Sequence, residues 1–170
     1  MISYDRAKKI LKKGIINIKD EKIKSINSLN RAVSKNIYSP INYPSGDNAA
    51  FDGYAINSKH TRNIKKNLPQ KFKIIGLIAA GNKPFKKKIK KFDTVEIMTG
   101  GIIPKGFDTV IPIEQTVFLP SKKSKKYILI NKKVKRHDHV RFAGSDYKKK
   151  EIIIKKIQLY SLTIFWLLKL

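Results

Sequence analysis

The chain has 170 residues, of which 41% are hydrophobic and 9% are aromatic, so it is long enough for one domain or slightly more with a packed core. The absence of cysteine excludes disulfides and thiolate metal sites, and it fits a reducing compartment. The net charge is +26, but only five of the 38 basic residues are Arg, the residue favoured for base and phosphate recognition. We therefore predict weak, non-specific polyanion binding and no specific nucleic-acid function.

The N-terminal third predicts short helices followed by a turn. A helix is expected over 3–13, capped by Ser3 and ended by Gly14, and a second helical segment over 26–34. A turn is expected at 43–46, where the sequence is Tyr-Pro-Ser-Gly. The N-terminus lacks a signal-peptide apolar core, so a cytoplasmic location is predicted.

The rest of the chain has the pattern of a β protein. Strands are predicted at Phe72–Ala80, Val95–Met98, Thr109–Ile113 and Tyr127–Ile130, with short connections rich in Gly, Pro and Lys. No strand–helix–strand alternation is evident, which argues against a doubly wound sheet. The Lys-rich stretches 123–126 and 132–135 are interpreted as solvated loops and hairpin ends. The final apolar run, 157–168, is shorter than the roughly 20 residues that span a bilayer.

One segment stands out because it has no basic residue in a very basic chain. From Ile37 to Ser58 there is no cation, and Asp47 and Asp52 lie there between Gly46 and Gly53. The glycines are expected to let the backbone turn on both sides. The two carboxylates are then either loop formers, or a pair that holds a hard cation such as Mg²⁺ or accepts a proton.

A second candidate stretch follows the strand predicted at 95–98. Thr99-Gly100-Gly101 combines a hydroxyl with two flexible residues, which fits either an anion-binding nest or an ordinary β-turn. The GK[ST] signature is missing, so a nucleotide P-loop is excluded.

A third stretch, 137–147, contains two histidines and a charged pair. His137 and His139 would share one side of a strand, as metal ligands can, although no third ligand is evident. Arg141 and Asp146 flank Ala143-Gly144, which predicts a tight loop bearing charge.

These stretches resemble, in order and spacing, the motifs of the molybdopterin molybdenumtransferases, the enzymes related to the E domain of gephyrin. The similar segments are DNAAFDGYAI at 47–56, AAG at 79–81, EIMTGG at 96–101 with Pro104, Gly106, Asp108 and Glu114 after it, and VRFAGSD at 140–146. The match covers about residues 3 to 154, and the combination of DGYA with IMTG at this distance is specific.

The resemblance implies an α+β fold in which a β-rich domain is inserted into an elongated N-terminal domain with short helices. On this basis we assign 1–25 and 143–170 to the elongated domain, which is incomplete, and 26–142 to the β-rich domain. The family's pterin-binding domain and C-terminal barrel are expected to be absent. The stretch 157–170 does not resemble the family's continuation.

The resemblance also implies an activity, which is insertion of molybdate into adenylylated molybdopterin with Mg²⁺ and release of AMP. The family is usually a cytoplasmic homodimer whose active site is shared between subunits. The expected partners are therefore a second copy or a full-length homologue and a small anionic substrate, without a specific nucleic acid or a membrane.

Site residues follow from the matched positions. The catalytic residues implied are Asp52, which is also the metal ligand, Thr99 and Asp146, and the substrate-binding residues implied are Asp47, Asn48, Gly100 and Gly101. Asp52 would hold the cation or steer water, while the Thr99 hydroxyl and the glycine amides would donate to oxyanions. A nearby ammonium group would compete with the metal, which explains a lysine-free segment.

Two substitutions depart from the family pattern: Ala49 stands where Ser is common, and Gly101 where Ala is common. Because the chain matches only the N-terminal portion, we expect it to supply half of a shared site. The alternatives are an inactive remnant or dimerisation module and, further from the motifs, a polyanion-binding protein.

Overall fold

The computed structural model describes residues 2–13, 19–65, 68–82 and 85–156. The predicted Gly14 helix end and the apolar run 157–168 lie outside these residues. The elements are, in chain order, α1 (Tyr4–Lys13), β1 (Ile37–Tyr38), β2 (Asn48–Ala49), β3 (Gly53–Ile56), β4 (Gln70–Ile78), β5 (Asp93–Ile97), β6 (Thr109–Pro112), β7 (Val117–Leu119), β8 (Tyr127–Ile130), β9 (Val140–Arg141) and β10 (Ile152–Ile154), with 3₁₀ turns at Ser25–Asn27, Ser58–Thr61 and Ile113–Gln115.

The described residues divide into two compact units, one from 2–37 with 152–156 and one from 38–151. The predicted domain boundaries, after residues 25 and 142, stay a prediction. The predicted α+β class is confirmed, because the structure is dominated by sheet and has few helices among its described residues. Within that part of the chain, no helix is long and apolar enough to cross a membrane.

The first unit contains the predicted N-terminal helix. The prediction for 3–13 is confirmed by α1, which has Asp5 in its first turn and Lys12 and Lys13 in its last, as the helix dipole favours. The second predicted helix, over 26–34, is wrong. Only a 3₁₀ turn forms, and Asn30 then adopts a positive φ of 61°, which a continuing α-helix does not allow.

The second unit is built on a six-stranded mixed sheet with the order β6-β3-β5-β4-β8-β7. Strand β3 pairs antiparallel with both β5 and β6, and β4 pairs parallel with β5. Tyr54 and Ile56 belong to one buried apolar cluster and Ala55 to another, as the alternation of side chains along a strand requires. The four predicted strands correspond to β4, β5, β6 and β8.

Strand β3 was missed because its first residue was interpreted as a turn. Gly53 lies in the strand, and its φ is outside the positive range. A Cβ on Gly53 would stand 2.0 Å from the Ile111 carbonyl oxygen of β6. This glycine is therefore required by the close approach of two strands, and the hinge role expected for it is corrected.

Candidate functional site

Residues 47–52, the acidic segment, lie against the turn that follows β5. The Ala49 amide donates to the Gly101 carbonyl at 3.0 Å, and the Gly100 amide donates to the Ala49 carbonyl at 2.9 Å. The Ile103 amide donates to the Asp47 carbonyl at 2.9 Å. Backbone hydrogen bonds thus join the first candidate stretch of the sequence to the second and to Ile103, which follows it.

The third candidate stretch also contacts the acidic segment. Strands β2 and β9 pair antiparallel, with Asn48 opposite Arg141. The Ala50 amide donates to the His139 carbonyl at 3.0 Å, and the Ala143 amide donates to Asp47 Oδ1 at 2.9 Å. All three stretches singled out in the sequence therefore meet at residues 47–52.

Asp52 and Thr99 form the most specific contact in this site. The Thr99 amide and the Thr99 hydroxyl both donate to Asp52 Oδ1, each at 2.7 Å. The backbone bond and then the hydroxyl bond lower the pKa of Asp52, and desolvation opposes them. Both residues are exposed. The second oxygen of the Asp52 carboxylate has no hydrogen-bond donor among the described residues, so it is open to a ligand.

The direction of these bonds corrects two expectations about anion binding. The Thr99 hydroxyl has one proton, and it is committed to Asp52. The Gly100 and Gly101 amides donate to the carbonyls of Ala49 and Met98, the second at 2.8 Å. No amide of the Thr-Gly-Gly turn is therefore left to donate to an oxyanion in this conformation. The turn presents oxygen acceptors, and the anion nest is not formed.

Arg141 and Asp146 form an ion pair, which the sequence had placed on either side of a tight loop without pairing them. The Arg141 guanidinium donates to one carboxylate oxygen of Asp146, and the Ser145 hydroxyl donates to the other at 3.2 Å. The Arg141 hydrogen bond is the largest cause of the lowered pKa of Asp146, and desolvation opposes it. Because both oxygens already have donors, the arrangement supports a role in positioning the loop. A catalytic role for Asp146 stays a prediction.

Asn48 is buried, with 7% of its surface exposed, and its side-chain oxygen has no hydrogen-bond donor among the described residues. An unpaired buried acceptor of this kind is costly. Asp47 is exposed and has one oxygen bonded to the Ala143 amide. The substrate-binding roles of Asp47 and Asn48 stay predictions.

The histidine pair does not form the predicted strand arrangement. His137 and His139 lie in a turn with positive φ values of 68° and 56°, so the alternation of a strand does not apply to them. The His139 and Phe51 rings pack edge-on with their centroids 5.1 Å apart, and the His137 and Phe142 rings do the same with centroids 5.0 Å apart. Across the described part of the chain, no group of three His, Asp or Glu side chains is close enough to hold a metal ion.

A divalent cation is compatible with Asp52 on the chemistry of the donors. Mg²⁺ is usually held by one or two carboxylates, with water and substrate phosphates completing the shell. Asp52 has one free carboxylate oxygen, and Thr99 adds a hydroxyl oxygen whose proton points to that same carboxylate. Asp146 does not fit this role because Arg141 occupies it.

Comparison with known proteins identifies the family of this chain. The family described as the MoeA N-terminal region (domain I and II) matches residues 2–163. A curated molybdopterin molybdenumtransferase of Haemophilus influenzae is 31% identical over 157 residues, which are 92% of this chain and 36% of that protein. The Bacillus subtilis protein of the same name is 29% identical over 129 residues, which are 76% of this chain and 30% of that protein.

A solved structure shows the same fold. The molybdopterin biosynthesis MoeA protein of Pyrococcus horikoshii superposes with a TM-score of 0.85 at 28% identity, over 99% of this chain and 43% of that chain. This chain spans about a third of the length of the curated relatives it matches. The extent of the family match, together with the meeting of all three motifs at one site, shows that this chain belongs to the MoeA N-terminal family.

Proposed function

We propose that the chain acts in molybdenum cofactor biosynthesis and supplies the N-terminal part of a molybdopterin molybdenumtransferase site. The reaction proposed is insertion of molybdate into adenylylated molybdopterin with release of AMP. It rests on the names of the relatives and on the resemblance of the motifs. The observation that carries it is the Asp52 carboxylate, which accepts two hydrogen bonds from Thr99 while one oxygen stays open.

The residues of this site would position a cation, and the segment that carries Asp52 has no basic residue. Asp52 is ionised near neutral pH like any exposed aspartate, and the two hydrogen bonds from Thr99, which lower its pKa further, hold the carboxylate in one orientation. Asp52 and Thr99 would hold Mg²⁺, which supplies positive charge where phosphate and molybdate oxygens approach. No lysine or arginine lies between Ile37 and Ser58 to compete for the carboxylate.

The remaining elements of the proposal follow from the resemblance. A second copy of the chain or a full-length homologue would complete a shared site as the partner, and the location would be cytoplasmic. The acidic segment is supported from both sides by backbone bonds, which suits a half-site that must keep its shape before a partner arrives.

The test measures AMP release from adenylylated molybdopterin with molybdate and Mg²⁺. The chain is assayed alone and after mixing with a separately produced pterin-binding portion of a relative. We expect no turnover by the chain alone and restored turnover in the mixture. Asp52→Asn should raise the Mg²⁺ concentration needed for half-maximal rate by about tenfold or more, the usual scale for a lost ligand contact.

Asp20→Asn is the matched control, because Asp20 is exposed and lies outside the acidic segment. It should keep the wild-type requirement for Mg²⁺. Turnover by the chain alone would contradict the half-site proposal, and an unchanged Mg²⁺ requirement in Asp52→Asn would contradict the role of Asp52.

A further inference from the structure

Lys125 differs from the rest of the Lys-rich stretch 123–126, which is interpreted above as a solvated loop. The other three residues of the stretch are exposed, whereas the Lys125 side chain is only 29% exposed. Its Nζ donates to Glu96 Oε1 of β5 at 2.5 Å, and the Glu96 side chain is 14% exposed. This hydrogen bond is the largest cause of the raised pKa of Lys125, and desolvation opposes it. The solvated-loop interpretation is therefore corrected for this residue.

The ammonium group of Lys125 also lies over two aromatic rings of the sheet. Its Nζ is 6.0 Å from the centroid of the Tyr54 ring and 5.8 Å from the centroid of the Phe118 ring, within the range of a cation–π interaction. Tyr54 of β3 is fully buried and stands directly opposite Glu96 in the antiparallel β3–β5 ladder. Lys125 therefore interacts with both members of one cross-strand pair.

This cross-strand pair is close to the Asp52–Thr99 contact on both strands. Tyr54 is two residues after Asp52, and Glu96 is three residues before Thr99. One further pair of the ladder lies between this pair and the contact. Because Thr99 lies in a turn beyond the last paired residue of β5, its position relative to Asp52 depends on how β5 is held against β3.

Stability alone gives little reason for a charged pair at this place. Desolvation of two charges is costly, and apolar residues of similar volume often stabilise a fold at least as well. The Tyr54 hydroxyl adds a cost, because it is buried without a hydrogen-bond partner among the described residues. The ion pair does specify register, since a slip of one residue between β3 and β5 would turn Glu96 to the opposite face, away from Lys125.

We propose that Lys125 is a positioning residue, whose ion pair with Glu96 fixes β5 against β3 and so sets the two hydrogen bonds from Thr99 to Asp52. The proposal deepens the function proposed above and rests on it for the role of the Asp52–Thr99 contact. The positioning itself is measured in the chain without metal or substrate, so its failure and the failure of the enzymatic proposal are distinguishable.

The first measurement is hydrogen exchange of the Thr99 amide, which donates to Asp52, followed by NMR in the 170-residue chain. Lys125→Met removes the ammonium group and keeps a long side chain. It should speed exchange of the Thr99 amide by about three- to fivefold, the upper end of the scale for a partly exposed ion pair. The Tyr43 amide, which donates to the Tyr147 carbonyl at 2.7 Å in the same unit, should keep its rate. Equal acceleration of both amides would show a general loss of stability and would overturn the proposal.

Three further variants separate positioning from charge and from stability. Lys123→Met removes the same charge from an exposed position of the same stretch and should leave the exchange of Thr99 unchanged. Lys125→Arg keeps the charge and should retain slow exchange. Lys125→Met combined with Glu96→Gln leaves no buried carboxylate without its counter-ion, so it should unfold near the wild-type urea concentration and still exchange Thr99 quickly. Wild-type exchange of Thr99 in this double variant would overturn the proposal.

The second measurement is the Mg²⁺ concentration that half-saturates the chain, followed at the Thr99 amide signal. In Lys125→Met this concentration should rise by about three- to tenfold, which reaches the lower end of the effect of removing a group that supports a metal ligand. If the wild-type chain shows no response to Mg²⁺ while Lys125→Met still speeds the exchange of Thr99, the proposed cation role fails and the positioning role stands. Unchanged exchange of Thr99 in Lys125→Met would overturn the positioning role, whatever the response to Mg²⁺.

Discussion

Gly53→Ala tests whether the approach of β3 to β6 is as close as the structure shows. Gly53 pairs with Pro112, and Tyr54 pairs with Ile111, in the same ladder. A Cβ on residue 53 would lie 2.0 Å from the Ile111 carbonyl oxygen and 2.8 Å from the Ile111 carbonyl carbon. Both are backbone atoms, so no side-chain rotation can relieve the contact.

The cost follows from the movement required. Real Cβ contacts are essentially never under 3.0 Å, so β3 and β6 must separate by about 1 Å at this point. Overpacking of this kind costs about 1–3 kcal/mol, and each weakened ladder bond adds about 0.5–1.5 kcal/mol. We expect a loss of about 2–5 kcal/mol, a large part of the roughly 5–15 kcal/mol of a typical domain.

The assay is urea unfolding followed by circular dichroism. With a slope of about 2 kcal/mol per molar urea, the midpoint should fall by about 1–2.5 M. Gly46→Ala is the control, because its Cβ would meet only the flexible end of the Ile102 side chain, at 3.3 Å. That variant should stay within about 0.5 kcal/mol of wild type. If both variants unfold at the same urea concentration, the inferred contact between β3 and β6 is wrong.

Two further predictions concern protonation. Thr99→Val removes one of the two donors to Asp52, so the pKa of that carboxylate should rise part of the way to its ordinary 3.8, while Thr99→Ser should keep the pKa low. NMR titration of the carboxyl carbon measures the pKa in both variants. An unchanged pKa in Thr99→Val would rule out the hydroxyl bond. The pKa of Asp146 is held below 3.8 by Arg141, so the ion pair stabilises the fold above that pH and its contribution is lost as the pH falls through the lowered pKa. When the pH is lowered below 3.8, the Arg141→Gln variant should therefore lose less stability than wild type. The measurement is the midpoint of thermal unfolding as a function of pH. If that midpoint falls in parallel for the two proteins, the pairing of Arg141 with Asp146 is contradicted.

Strand β8 is an example of a strand that the sequence predicted well because its side chains alternate. In β8, Ile128 and Ile130 are buried and alternate with half-buried Tyr127 and Leu129, so period-two reasoning found its bounds. Strand β3 is buried on both faces, so its side chains do not alternate. It begins at Gly53, directly after Asp52, and an Asp-Gly pair is typical of a turn, so the start of the strand is not obvious from the sequence. The helix expected over 26–34 failed because local apolar spacing does not reveal a positive φ at Asn30.

For the candidate site, the sequence singled out three segments that the structure brings together, and it misassigned some of their hydrogen-bond donors. The resemblance pointed to Asp52 and Thr99, and the structure shows them bonded. Free amides were expected at Gly100 and Gly101, yet the acidic segment and Met98 use them. Which donors are already satisfied depends on partners distant in the chain, and spacing alone does not report it.

The acidic segment also has a consequence for how the chain reaches its working form. Asp52 meets a residue 47 positions later, and Asp47 meets one 96 positions later. Closing such long loops costs chain entropy before any contact repays it, so these pairings depend on the rest of the sheet being in place. A nascent or partly unfolded chain would carry the acidic residues without their partners, and cation binding would therefore report on the completeness of folding.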